Sequence, residues 1–351
     1  MPIALPVFRL APALLALLLS GCTSLDYYAQ LGRGQLELLA ARQPVSELLA
    51  DPAGDAELKR RLALAQQARD FASAELGLPD NRSYRLYADL GRPYVVWNVF
   101  ATPELSLAPL THCFPVAGCV AYRGYYRQGR ARGAAALLQQ RGLDTHVAGI
   151  EAYSTLGWFA DPLLNTMLRW GDERLAAVIF HELAHQRLYI ADDTAFNESF
   201  ASFVERQGLR QWRAARGLAP GDAREESMRR QFSELILASR ERLQALYDGP
   251  GSEQHKRAGK AAEFERLRAE YRALRDGPWR GDARYDAWIM APLNNAKLLP
   301  FGLYDRWVPA FAALFAEAGG DWVRFYRRAA DLGALAPAER ERRLTALQAA
   351  Q

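Results

Sequence analysis

Several features are scarce or missing in this chain. It has three cysteines and five histidines in 351 residues. No second Cys or His pair stands at zinc-finger spacing, which argues against a four-ligand structural zinc module. The main apolar run, Leu10 to Leu19, is too short to cross a bilayer comfortably. Charge of neither sign is clustered. The formal net charge is +4, and bases alternate with acids in stretches such as "REESMRRQF" and "EFERLRAEYRALRD". These read as solvated helix faces and exclude a nucleic-acid patch as the organising feature. No internal repeat is evident. With 50% hydrophobic and 24% charged residues, the composition is that of a globular protein, neither disordered nor a multi-span membrane protein. The length suits one large domain or two moderate ones.

The N-terminus is informative. One positive residue, Arg9, precedes the apolar run, and small residues follow it, as in a secretory signal. The end of the run, "LSGC" (Leu19 to Cys22), resembles a bacterial lipobox. That resemblance implies a signal peptide over residues 1–21, cleavage before Cys22 and lipid attached to the Cys22 thiol. Acyl chains anchor a protein to a membrane surface without a transmembrane helix. Thr23 in place of an aspartate is similar to the outer-membrane pattern, so the expected location is the bacterial cell envelope, at the outer membrane facing the periplasm. Cys113 and Cys119 then remain, close together in "THCFPVAGCVAY" with Pro115 and Gly118 between them. In an oxidising compartment such a pair suggests a disulfide; a reduced pair or half of a metal site are the other readings.

Along the chain, apolar residues at helical spacing (Leu36, Leu38, Leu39, then Leu48, Leu49, Leu58, Leu62, Leu64) predict two or three helices within residues 22–80. From residue 84 to about 160 the texture changes. "YRLYADLGRPYVVWNVFATP", "CVAYRGYY" and "DTHVAGIEAYSTLGWF" predict a small sheet, with a helix near residues 128–141. From Asp172 onward almost everything reads as helix, interrupted at "GLAPGDA", "DGPGSEQH", "DGPWRGDARYD" and "LLPFG". The expected fold is α+β, mostly helical with a small sheet in the N-terminal half, and not a doubly wound parallel sheet. The expected layout is an N-terminal helical segment, 22–80, and a main domain, 81–351. Within that domain lie the sheet at 84–160, two helices at 172–208 and a helical part at 222–351.

The most specific stretch is "AAVIFHELAHQRLYIADDTAFNESFASFVERQG", residues 176–208. Asp172 is a candidate N-cap, with Glu173 in the first turn. His181 and His185 are one helical turn apart on the same side, so both imidazoles can reach one ion. Glu182 stands where it can reach a water on that ion. This is the H-E-x-x-H pattern of two zinc ligands and a general base, on the helix that the pattern requires. "ADDTAF" then makes a reversal with Asp192, Asp193 and Thr194 as turn or cap residues, and a second helix is expected to stop at Gly208. Glu198, Ser202 and Glu205 share one face of that helix. Spacing alone leaves Glu198 and Glu205 both open as a third ligand.

The strings "HELAHQ…FNESFASFVE" resemble the gluzincin metallopeptidases, especially zinc aminopeptidases with an Asn-Glu-Gly-Phe-Ala type second motif. The resemblance implies Glu198 as the third zinc ligand, with Glu205 behind the ligands or structural. "CFPVAGCVAYRGYY" and "AYSTLGWFADPLLNTML" extend the likeness to a family of bacterial proteins described as aminopeptidases, over roughly residues 20–345. The family's activity is itself assigned from the motif. Two departures stand out: only residues 186–197 separate His185 from Glu198, and no Gly-x-Met-x-Asn string is present to hold a substrate's free amine. Glu151 is a candidate replacement. For the oxyanion, Tyr153, Tyr285 and Tyr304 are candidates, Tyr304 foremost. "STLGWF" is a candidate edge strand for an extended substrate. His112, His146 and His255 carry no motif. The segment 224–275 is expected to form a helical subdomain walling the cleft. The expected function is that of a membrane-anchored zinc (Zn2+) peptidase, an aminopeptidase by resemblance, acting on peptide or protein substrates. An envelope endopeptidase with the same site and a catalytically silent metal-binding lipoprotein remain as alternatives.

Overall fold

The computed structural model describes residues 11–114, 118–152, 154–301 and 306–349; for residues 11–24 and 223 it describes the backbone only. The first ten residues of the expected signal peptide therefore lie outside the described residues, as do Tyr153 and Tyr304.

The chain opens with α1 (Ala11–Ala40), which runs unbroken through the expected cleavage point before Cys22. Then come β1 (Arg42–Pro44), α2 (Val45–Ala50) and α3 (Ala56–Ala74). The sheet region holds β2 (Leu86–Ala88), β3 (Val96–Pro103), β4 (His112–Phe114), β5 (Gly118–Val120), β6 (Tyr122–Tyr125), α4 (Gln128–Gln140), β7 (Leu143–Ile150) and β8 (Leu163–Leu164). The remainder is helical: α5 (Asp172–Arg187), α6 (Thr194–Ala215), α7 (Ala223–Asp248), α8 (Glu253–Asp276), α9 (Asp286–Met290) and α10 (Asn295–Leu298). Three C-terminal helices follow: α11 (Val308–Glu317), α12 (Trp322–Gly333) and α13 (Pro337–Ala349). The fold is thus mostly helical α+β. No described helix is long and apolar enough to cross a membrane.

Among the described residues the expected single sheet is divided among three small ones, ordered β1-β2-β8, β6-β3-β7 and β4-β5. β3 is the central strand of its sheet and pairs antiparallel with both neighbours. Its run "VWNVFAT" is buried throughout. A strand covered on both faces has no solvent side to require alternation. Trp97 and Val99 pack against Ala131 and Ala135 of α4. Phe100 packs against Ala296 and Leu299 beside α10.

The main core joins the N-terminal helices to the rest of the molecule. Leu62, Ala65 and Ala68 of α3 share one cluster with Leu175, Ile179 and Phe180 of α5, with Phe200 and Val204 of α6, and with Phe311 and Phe325 of the C-terminal helices. The segment 224–275 forms a helical hairpin whose Phe232, Ile236, Leu267 and Tyr271 build a second core together with Leu107, Trp279 and Ile289 from outside it. Two local expectations are corrected. Asp172 is the first residue of α5 and Gly171 its cap; the Asp172 carboxylate instead pairs with Arg60 and Arg61 of α3 while facing the helix dipole. Nor does Gly208 end α6. It lies inside the helix, where a Cβ would sit 2.6 Å from Leu76 Cδ1 and 3.1 Å from Phe180. Glycine is there for close approach, and the left-handed stop comes at Gly217, φ +66°.

Candidate metal centre

α5 and α6 form an antiparallel hairpin. His185, near the end of α5, meets Glu198 near the start of α6, and His181, one turn earlier, reaches Glu205, farther along. Asp193 caps α6, its carboxylate accepting from Phe196 N at 2.9 Å. The short connection is braced by Asn197, the residue before Glu198. Its Oδ1 accepts from Ile190 N at 2.8 Å and its Nδ2 donates to Ile190 O at 2.7 Å. Sequence reading gave Asn197 no task. Its place before the third candidate ligand was the only available signal, because the Asn197–Ile190 pairing depends on how the loop closes.

The Nε2 atoms of His181 and His185 face each other at 3.2 Å. Glu198 Oε2 is 3.4 Å from the first and 3.6 Å from the second. Ligands about 2.1 Å from a tetrahedral ion are about 3.4 Å from one another. These three donors therefore match the base of such a site. Among the described residues they are the one group of His, Cys, Asp or Glu able to hold a metal ion. Glu205 Oε2 accepts from His181 Nδ1 at 3.0 Å. With Nδ1 donating to that carboxylate, the neutral tautomer that would ligate an ion is the one with its lone pair on Nε2. The side chains of His181, His185 and Glu198 remain 12%, 8% and 14% exposed, so the cluster is enclosed but reachable.

Electrostatics favour positive charge here. Burial opposes a charged His181, but Glu198 and Glu205 outweigh it and carry its pKa well above the ordinary histidine value. Burial would raise Glu198, yet His185 and His181 hold it down at about 2. Glu182 moves the other way: burial raises its pKa, against the pull of His181 and His185. A carboxyl shifted toward neutral pH suits proton transfer.

A family model described as "Putative aminopeptidase" matches residues 26–344. The chain belongs to this family. The family suggests peptidase activity, in agreement with the class of chemistry read from residues 176–208. No match was found among curated proteins or among solved structures.

Other candidates fall elsewhere. "STLGWF" is not an edge strand. Leu156 and Gly157 are left-handed, φ +56° and +82°, and the Asp161 carboxylate accepts from Thr155 N at 2.9 Å and Thr155 Oγ1 at 2.6 Å. The chain reverses there, with Trp158 and Phe159 exposed. Glu151 accepts from Trp170 Nε1 at 2.7 Å and lies 3.4 Å from Arg169, so its carboxylate braces the approach to α5. Tyr285 stacks on Phe232 at 3.9 Å against the second core and is a packing residue. Tyr189 was overlooked. Its ring meets His185 at 6.5 Å, and Glu198 and Asp192 add to the burial that raises its pKa. Cys113 and Cys119 are bonded across the β4–β5 hairpin. Cys22 lies in α1, and its side chain is outside the described ones.

Proposed function

We propose that this family member is a zinc-dependent aminopeptidase, held at the envelope membrane through lipid on Cys22. The observation that carries the reading is the convergence of His181, His185 and Glu198 donors within 4.8 Å of one another, with Glu182 adjacent. A zinc ion held here would supply Lewis acidity and would make water a better nucleophile near neutral pH. The chain supplies the rest. His181, His185 and Glu198 would hold the ion. Glu205 holds the His181 ring in the ligating tautomer. Glu182 takes a proton from the attacking water and returns it to the leaving amine, which conserves protons over the cycle.

The lipid anchor rests on "LSGC" and the exopeptidase choice on the family description. The test is paired. The purified chain is analysed for metal by mass spectrometry and given two peptides, one with a free N-terminus and one acetylated. One zinc per chain with cleavage of the free peptide alone is expected. Internal cleavage of both would make the protein an endopeptidase, and zinc without cleavage would make it a binding lipoprotein.

A further inference from the structure

The connection between α5 and α6 is held from two sides. Asn197 brackets Ile190 from within. From outside it meets the hairpin closed by Cys113 and Cys119. The Cys119 N–H donates to Asp192 Oδ1 at 2.7 Å. Gly118 lies against the same residue: a Cβ there would be 2.6 Å from Asp192 Oδ1 and 3.0 Å from Asp192 N. Gly118 is left-handed at φ +70°, and so is Asp192 at φ +66°. An L residue takes that conformation when its surroundings reward it, and aspartate tolerates it better than most. The next residue, Asp193, is the α6 cap and pairs with Arg340. Glu198 stands in the second turn of α6. The left-handed step at Asp192 thus fixes where α6 begins, and with it the separation of Glu198 from the two histidines.

We propose that Asp192 is a positioning residue. Its carboxylate, gripped by the disulfide-closed hairpin, holds the turn that brings Glu198 onto the His181–His185 pair. The inference rests on the metallopeptidase reading above. The bonded cysteines keep β5 in register, so that the Cys119 N–H and the side-chain-free Gly118 both meet Asp192. The hairpin thereby becomes part of the metal site without supplying a ligand.

The test compares full-length variants by zinc affinity, read by chelator competition, and by kcat and KM separately. Asp192→Ala is expected to weaken zinc about tenfold, the scale seen when groups supporting metal ligands are removed, and to lower kcat more than it raises KM. Asp192→Asn keeps an acceptor for the Cys119 N–H and tolerates the left-handed backbone; it is expected to restore both within about twofold. Cys113→Ser with Cys119→Ser should match Asp192→Ala, and adding Asp192→Ala to that pair should cost nothing more. Gly118→Ala, which keeps all three residues but forces the hairpin away, should act likewise. Wild-type zinc affinity in Asp192→Ala, or additive losses in the combined variant, would overturn the inference and leave the zinc reading intact. A wild-type chain that binds no zinc would overturn both.

Discussion

His181 Nδ1 lies 3.0 Å from Glu205 Oε2, a bond that reaches from one ligand helix to the other. It ties the orientation of a candidate ligand to a residue that is not itself a ligand. Replacing Glu205 by Ala should leave the fold in place and lower zinc affinity by about 10–100-fold. A chelator titration reads this directly. Unchanged affinity would mean that packing alone orients the His181 ring.

Gly208 gives a prediction whose sign runs against helix propensity. In an exposed helix, Gly→Ala stabilises by about 1 kcal/mol. Here the added methyl would meet Leu76 Cδ1 at 2.6 Å, and Leu76 is fully buried, so it has nowhere to turn. Gly208→Ala should therefore destabilise by about 1–3 kcal/mol through overpacking. Chemical denaturation measures it; a stabilised variant would contradict the close packing of α5, α6 and Leu76.

His146 sets a pH dependence. It stacks on Phe100, and burial, with help from the Lys297 charge, lowers its pKa from 6.5 to about 4. Between these values the unfolded chain binds a proton that the folded chain resists. Its contribution is therefore complete above 6.5 and is lost as pH falls toward 4. The denaturation midpoint of the wild type should fall further than that of His146→Gln between about pH 7.5 and about pH 4.5. Parallel losses would assign the acid sensitivity to other groups. Any metal released at low pH would be released from both proteins, so that effect would cancel in the comparison.

Much of the architecture was legible because it is written in local pattern. The helical spacing of Leu58, Leu62 and Leu64 gave α3, the aromatic and β-branched run at Val96–Pro103 gave β3, and "DGPGSEQH" marked the break between α7 and α8. The juxtaposition of His181 and His185 was legible because two residues four apart within one helix share a face. Long-range relations were less so. Gly208 read as a stop because a lone glycine near a helix end looks the same whether it caps the helix or admits Leu76. "STLGWF" read as a strand from its apolar content, but two left-handed residues and the Asp161 carboxylate turn it back. Asn197 was visible only as the residue before Glu198, and Asp192 only as a turn or cap residue. Their partners, Ile190 and Cys119, become identifiable once the hairpin and the helices have met.

The central claim is that Glu182 moves protons at a site built by His181, His185 and Glu198. The most direct measurement is metal content and peptide hydrolysis on the same preparations of wild type, Glu182→Gln and Glu198→Ala. The account predicts one zinc per chain in the wild type and in Glu182→Gln, with hydrolysis lowered by about 10²–10⁴-fold in the latter, and weakened zinc binding in Glu198→Ala. Full activity in Glu182→Gln, or undiminished zinc affinity in Glu198→Ala, would contradict it.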